Sequence, residues 1–195
     1  ILKTLASTTQ LISNVEVENR LVPRKHLVSR LLPLRHRRLR ETMATDWFHV
    51  TTLSVNHHRG FQLFVGQHSK TLFPYCLRKK IHMVDSLLEL CRDIGIPEKL
   101  VMDGDGAQNN PQVMRVVNDY LIKVHNSEPE NQQQNWAERG GATVKLGLRR
   151  LHFETRFDLT YWNYAVVHSC DVFNHTACRD LGWQCLAYCV MSTHA

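Results

Sequence analysis

The sequence predicts an α/β domain in which a mixed five-stranded sheet is flanked by helices, preceded by a basic leader. Three observations lead there. Three successive runs alternate apolar and polar residues and are rich in β-branched and aromatic types. The spacing then switches to a helical period. Two further short apolar runs follow, each joined to its neighbours by an amphipathic segment.

The elements can be justified in order. ATDWFHVTT (residues 44–52), FQLFVG (61–66) and TLFPYCL (71–77) read as three strands, separated by polar turns at Asn56 to Gly60 and Gln67 to Lys70, which predicts an antiparallel meander. IHMVDSLLELCRDIG (81–95) is helical, with Ile81, Val84, Leu88 and Cys91 as the expected buried stripe and Gly95 and Pro97 as its stop. EKLVMD (98–103) has the profile of a buried strand ending in Asp103. Asn110 and Pro111 form an N-cap and first-turn pair for the helix PQVMRVVNDYLI (111–122), and IKVH (122–125) reads as a fifth strand. A long helix is expected from about Ala137 to Phe153, buried through Ala137, Val144, Leu148 and Leu151, and a last one over 158–176 with Trp162, Val166, Cys170 and Phe173 in register. Periodicity leaves the order of the strands in space open. The element order is that of the ribonuclease H-like fold, by analogy.

Charge divides the chain. The formal net charge is +6, yet residues 1–40 carry nine Lys/Arg against two Glu, leaving fifteen Lys/Arg against sixteen acids beyond them. Within the leader, LVPRKHLVSRLLPLRHRRLR (21–40) has seven Lys/Arg, two His, two Pro and no acid. Such a segment neutralises phosphates, serves as a nuclear address, or is a solvated linker. The boundary is expected near Arg40, with residues 1–40 a poorly ordered basic leader and 41–195 a domain truncated at its C-terminal end. The absence of any run of about 18 apolar residues argues against a membrane-spanning helix. The start, without Met or a signal pattern, reads as a soluble fragment of something longer. Six Cys without small-domain spacing read as reduced thiols of an intracellular protein.

Three acids stand where an acid is locally unexpected: Asp46 among Trp47, Phe48 and Val50, Asp103 at the end of the fourth strand, and Glu138 in the first turn of the long helix. Carboxylates converging from different elements are what a pair of divalent ions about 4 Å apart needs for phosphodiester chemistry. An Asp at a strand end also serves as a turn former, and spacing alone leaves both readings open. His168, Cys170, His175, Cys178, Cys185 and Cys189 fall at zinc-like separations, while Cys170 also continues an apolar helical stripe.

SEPENQQQNWAERGGATVK (127–145) resembles the stretch around the catalytic Glu of copia-type LTR retrotransposon integrases, where an SEP-x-x-Q-x-Q-N-P-A-E pattern leads into TVK. Ser127, Glu128, Pro129, Gln132, Gln134, Asn135, Ala137, Glu138, Thr143, Val144 and Lys145 match. FQLFVGQHSKTLFPYCLRKK, IGIPEKLVMDGDGAQ and CDVFNHTACRDLGWQ are similar to further stretches of that family, so the resemblance spans about residues 42 to 189. The separation of 35 positions from Asp103 to Glu138 is also the family's.

The resemblance implies the catalytic core of a DDE-type integrase that processes DNA 3′ ends and transfers them to target DNA. It implies two Mg²⁺ or Mn²⁺ ions held by Asp46, Asp103 and Glu138, with Asp105 of MDGDGAQ as the alternate for Asp103. It also implies DNA contacts from Gln132, Gln134, Asn135, Lys145 and Arg149, a homo-oligomer, no membrane, and a nuclear destination after an intracellular stage in retrotransposon particles. The alternative is a catalytically inactive relic or domesticated nucleic-acid-binding module of the same fold. The chain departs from the family pattern at Trp136, where Pro is usual, and at Trp47, where a small residue is usual. Gly140 and Gly141, each costing up to about 1 kcal/mol in a helix, predict a poorly held Glu138.

Overall fold

The computed structural model describes residues 31–103, 110–127, 136–178 and 184–185. Strands β1 (Thr42–His49), β2 (Gly60–Gly66) and β3 (Leu72–Leu77) come first, then helix α1 (Met83–Asp93), β4 (Lys99–Asp103), α2 (Pro111–Asp119), β5 (Lys123–Ser127), α3 (Trp136–Thr155) and α4 (Trp162–His175). Two-residue strands β6 (Ala177–Cys178) and β7 (Gln184–Cys185) pair with each other.

The main sheet has five strands in the order β3-β2-β1-β4-β5. β1, β2 and β3 form the expected antiparallel meander, whereas β4 lies parallel to β1 and β5 parallel to β4. Parallel neighbours need crossovers, and α1 and α2 supply them. β1 and β4 thus become direct neighbours although β2, β3 and α1 separate them in sequence.

Each face of the sheet carries its own core. Met43, Phe64, Leu100 and Met102 pack with Leu87 and Leu90 of α1 and Val113 and Val117 of α2. On the other face Ala44, Phe48, Phe61, Leu63 and Val101 pack with Ala137 and Val144 of α3 and Trp162, Val166 and Cys170 of α4. β2 is buried at every position, as a central strand covered on both faces must be.

Several local expectations hold for a physical reason. The Asn110 side chain accepts from the Gln112 backbone N–H at 3.1 Å, with Pro111 in the first turn. Gly95 ends the α1 turn at φ +136, a region open to glycine, and a Cβ there would lie 2.6 Å from the Arg37 carbonyl oxygen. Asn174, in the NHTA stretch, takes both backbone groups of Leu72: its Oδ1 accepts from Leu72 N at 2.9 Å and its Nδ2 donates to Leu72 O at 2.8 Å. That amide clamps the end of α4 to the edge strand β3.

Other expectations are corrected. The α1 stripe is Met83, Leu87, Leu90 and Cys91, not Ile81, Val84 and Leu88 with Cys91. Ile81 falls in the 3-10 turn Lys80–His82 and is 64% exposed, because the α-helical phase starts only at Met83. On α3 the buried residues are Ala137, Gly140, Gly141 and Val144, while Leu148 and Leu151 are half-buried. Helix α2 stops at Asp119, and Leu121 follows at φ 53.

The packed domain reaches back into the basic segment. Leu31–Ala195 forms one compact unit, and Leu39 is a core residue at 3% exposure. Leu39 N donates to Ile96 O at 2.8 Å, and the Arg38 guanidinium donates to Tyr120 O at 2.6 Å and Leu121 O at 3.1 Å. These carbonyls lie just beyond the end of α2, where a cation complements the helix dipole. Residues 1–30 of the expected leader lie outside the described residues. Among the described residues no helix is long and apolar enough to cross a membrane.

A chain starting at residue 41 should therefore be less stable than one starting at residue 31 by about 3 kcal/mol, through loss of Leu39 burial and the Arg38 hydrogen bonds. Urea unfolding followed by circular dichroism measures the difference.

Candidate active site

Asp46 lies mid-way along β1, half-buried. Strand alternation puts it on the same face as Ala44 and Phe48, the face that α3 and α4 cover. Its Oδ1 accepts from the Trp47 backbone N–H at 2.7 Å. Trp47, bulky where the resembled family is small, belongs to the opposite face, and Gly60 leaves it room: a Cβ at Gly60 would lie 2.5 Å from its ring. The indole therefore takes no space on the Asp46 side.

The parallel ladder brings Asp103 to this place. It pairs Ala44 with Val101 and Thr45 with Met102, so one further step sets the backbone of Asp103, the last residue of β4, beside Asp46. The side chain of Asp103 lies outside the described residues. So do Asp105, Gln132, Gln134 and Asn135.

Glu138 occupies the first turn of α3 and is exposed. What sets its position is the contact made two and three residues later. A Cβ on Gly140 would lie 2.8 Å from Val65 Cγ2 and 3.4 Å from Leu63 Cδ2, and one on Gly141 would run into the Phe48 ring. Leu63 is the β2 ladder partner of Asp46, and Phe48 is two residues beyond Asp46 on the same face. The first turn of α3 is thereby seated over the Asp46–Phe48 segment.

The glycines thus act opposite to the expectation drawn from helix propensity. They are buried and let the helix backbone approach the sheet more closely than any Cβ would allow. Trp136 adds an anchor that proline lacks: its Nε1 donates to Val65 O at 2.8 Å, and the ring packs on the same core. The backbone at Glu138 is held between the anchored Trp136 and the close-packed glycine pair, while its side chain is exposed.

Lys145 stays on the site side of the helix, with Nζ 5.0 Å from the Phe48 ring centroid, a cation–π arrangement. Phe48 itself stacks on Phe61 at 5.2 Å between centroids. Arg149 is exposed about one turn further along. Phe48 was not among the residues singled out in the sequence. Its signal was available in retrospect as an aromatic at i+2 from the first acid.

Acidic residues on adjacent strands and at the exposed start of a helix are of the type that a hard divalent cation takes as ligands. Among the described residues, which do not include the Asp103 carboxylate, no group of three or more His, Cys, Asp or Glu converges as a metal cluster. Of the C-terminal Cys/His set, the side chains of Cys178 and Cys185 lie outside the described residues. Cys170 is a core residue whose thiol is pushed up to about 12 by burial, Asp171 and Cys76 adding to the effect. His175 Nδ1 lies 2.8 Å from the Asp171 carbonyl oxygen, and Cys178 and Cys185 lie in the β6–β7 pair with Gln184 and Ala177 opposite them. Cys189 lies outside the described residues.

No protein-family model matches the sequence, and no curated protein matches it. Solved structures do. The chain is similar to the HTLV-2 integrase catalytic core domain in complex with magnesium, in its trimeric form (TM-score 0.61, 13% identity, 79% of this chain and 98% of that one). It is similar to the catalytic core domain of BIV integrase (TM-score 0.62, 13% identity, 78% and 94%). A third likeness is to a chain of the simian T-cell lymphotropic virus intasome in complex with PP2A regulatory subunit B56 gamma (TM-score 0.64, 17% identity, 87% of this chain and 59% of that one). At these identities the likeness establishes the fold, which is the integrase-type ribonuclease H-like fold.

Gly141→Ala tests the seating of the helix. Ala is the better helix former by about 1 kcal/mol, yet the variant should be less stable by about 1–3 kcal/mol because its methyl group meets the Phe48 ring. Thermal unfolding of the two proteins checks the sign, which pure propensity would reverse.

Proposed function

We propose that this chain is the catalytic core of a copia-type retrotransposon integrase, joining the 3′ ends of element DNA to target DNA. The observation that carries the proposal is the adjacency of Asp46 and Asp103 across the β1–β4 ladder, beneath the seated first turn of α3 that bears Glu138. The likeness to integrase cores, one of them solved with magnesium, supports it.

In this reading Asp46, Asp103 and Glu138 hold two Mg²⁺ or Mn²⁺ ions, which when bound polarise the phosphodiester and lower the pKa of an attacking water or 3′ hydroxyl. The chain's own part is positional. β1 and β4 keep two carboxylates at one level, and the glycine seat fixes the third. Lys145, steadied on Phe48, and Arg149 meet DNA phosphates, adding counter-charge without a covalent intermediate. Gln132, Gln134 and Asn135 contact the DNA backbone ahead of the helix, where amides add hydrogen bonds without charge. The basic leader, residues 1–40, supplies further phosphate contacts and a nuclear address. The dimeric and trimeric forms of the HTLV-2 core support a homo-oligomer here.

Strand transfer on a short duplex with Mn²⁺ tests the reading. Wild type should join DNA ends, with activity abolished by chelation, and Glu138→Gln should lose at least about 100-fold while binding DNA as before. Equal activity in both proteins, or none in either while DNA still binds, supports instead an inactive or domesticated DNA-binding module. A chain starting at residue 31 should show a shallower dependence of DNA affinity on salt than the full chain, by about 0.9 in log–log slope per lost phosphate contact. An unchanged slope removes residues 1–30 from the interface.

A further inference from the structure

Helix α3 continues well beyond the candidate site, and its surface remains organised. Glu138, Lys145 and Arg149 recur at whole-turn intervals along one line, and Arg156 lies one residue past the helix end. Among the described residues none of the ion pairs involves Lys145, Arg149 or Arg156. Beside the far end of this line lies Phe153, 71% exposed, with the Arg156 guanidinium carbon 5.2 Å from its ring centroid. Arg156 adopts φ 52, the left-handed conformation for which glycine is the usual occupant after a helix. A position suited to glycine thus holds an arginine that lies over an exposed ring. Glu154 falls on the far side of the helix by its phase and leaves the line uniformly cationic after Glu138.

We propose that the distal half of α3 is a second DNA subsite, in which Phe153 stacks an unpaired base while Arg149 and Arg156 neutralise the flanking phosphates. The inference rests on the reading above for its partner, DNA. Charge complementarity favours a polyanion, since Lys145 and Arg149 on one helix edge and Arg156 just past its end have no carboxylate partner among the described residues. The ring favours an unpaired base, since bases inside a duplex already stack on each other and offer a lone phenyl group no free face. Arg156 over the ring holds the platform in one orientation and adds a cation beside the stacked base. Fifteen residues of helix separate Glu138 from Phe153, about 22 Å at 1.5 Å per residue. At 3.4 Å per nucleotide that is about six nucleotides from the reacting phosphodiester. The substrate class is thus a DNA with a splayed or single-stranded segment at that distance, rather than a continuous duplex.

Binding of the full chain, read by fluorescence anisotropy in EDTA, tests this apart from catalysis. The probes are a duplex of about 20 base pairs, blunt or with a single-stranded tail of about six nucleotides. Phe153→Ala should weaken binding of the tailed duplex about tenfold and of the blunt one less than about twofold, and Phe153→Trp should restore it. Arg149→Gln and Arg156→Gln should each lower the salt slope by about one. Because the ring is exposed, the thermal midpoint of Phe153→Ala should equal that of wild type. Equal losses on the two probes, no rescue by Trp, or unchanged salt slopes overturn the proposal. A chain without strand transfer that still distinguishes the probes through Phe153 upholds it while the catalytic reading falls. A chain that joins DNA but ignores Phe153 overturns it alone.

Discussion

The close seating of α3 on the sheet is the constraint on which the rest of the structure depends. Gly140 rests on Leu63 and Val65, and Gly141 on the Phe48 ring. Side chains at either position would lift the helix by the thickness of a methyl group or more and free its first turn to rotate. With the glycines in place, the helix has one register against β1. Everything the helix carries then acquires a defined position relative to Asp46: Glu138 just before the contact, Lys145 over Phe48 just after it, and Arg149 beyond. Phe48 is therefore both the floor under the helix and the surface that steadies the nearest cation. Preorganisation of this kind comes from packing on rigid elements rather than from loops.

The second requirement is topological. Two aspartates far apart in sequence can share one level only if their strands are neighbours, and that adjacency is made by the parallel crossover through α1. The two cores, one on each face, hold the sheet against both pairs of helices, and the Asn174 clamp fixes α4 to the edge strand. A buried amide that satisfies both backbone groups of one residue also closes an edge that would otherwise be open to pairing. The basic segment contributes too. Arg38 is spent on the end of α2, so not all of the leader's positive charge is available to a polyanion.

Much of this was legible in the residues themselves. Alternation and β-branching located the first three strands, short apolar runs the other two, and the Asn110–Pro111 pair the start of α2, because these features are local. The burial phase of α1 was misread because Ile81 belongs to a 3-10 turn whose different pitch breaks the helical count. The glycines of α3 were misread because propensity describes an isolated helix, whereas their value lies in a long-range contact with Phe48. The contacts of Leu39 and Arg38 with Ile96, Tyr120 and Leu121 are long-range in the same way and leave no local signal in the basic segment. Strand order, and with it the adjacency of Asp46 and Asp103, is not encoded in any periodicity.

The account turns on whether Asp46, Asp103 and Glu138 enclose one metal-binding point. Anomalous diffraction from crystals of the chain soaked in Mn²⁺ measures this directly. The account predicts anomalous peaks bounded by oxygens of these three carboxylates, at about 2.0–2.3 Å from them. Ordered crystals in which Glu138 turns away from both aspartates, with no peak between β1, β4 and the start of α3, would contradict it.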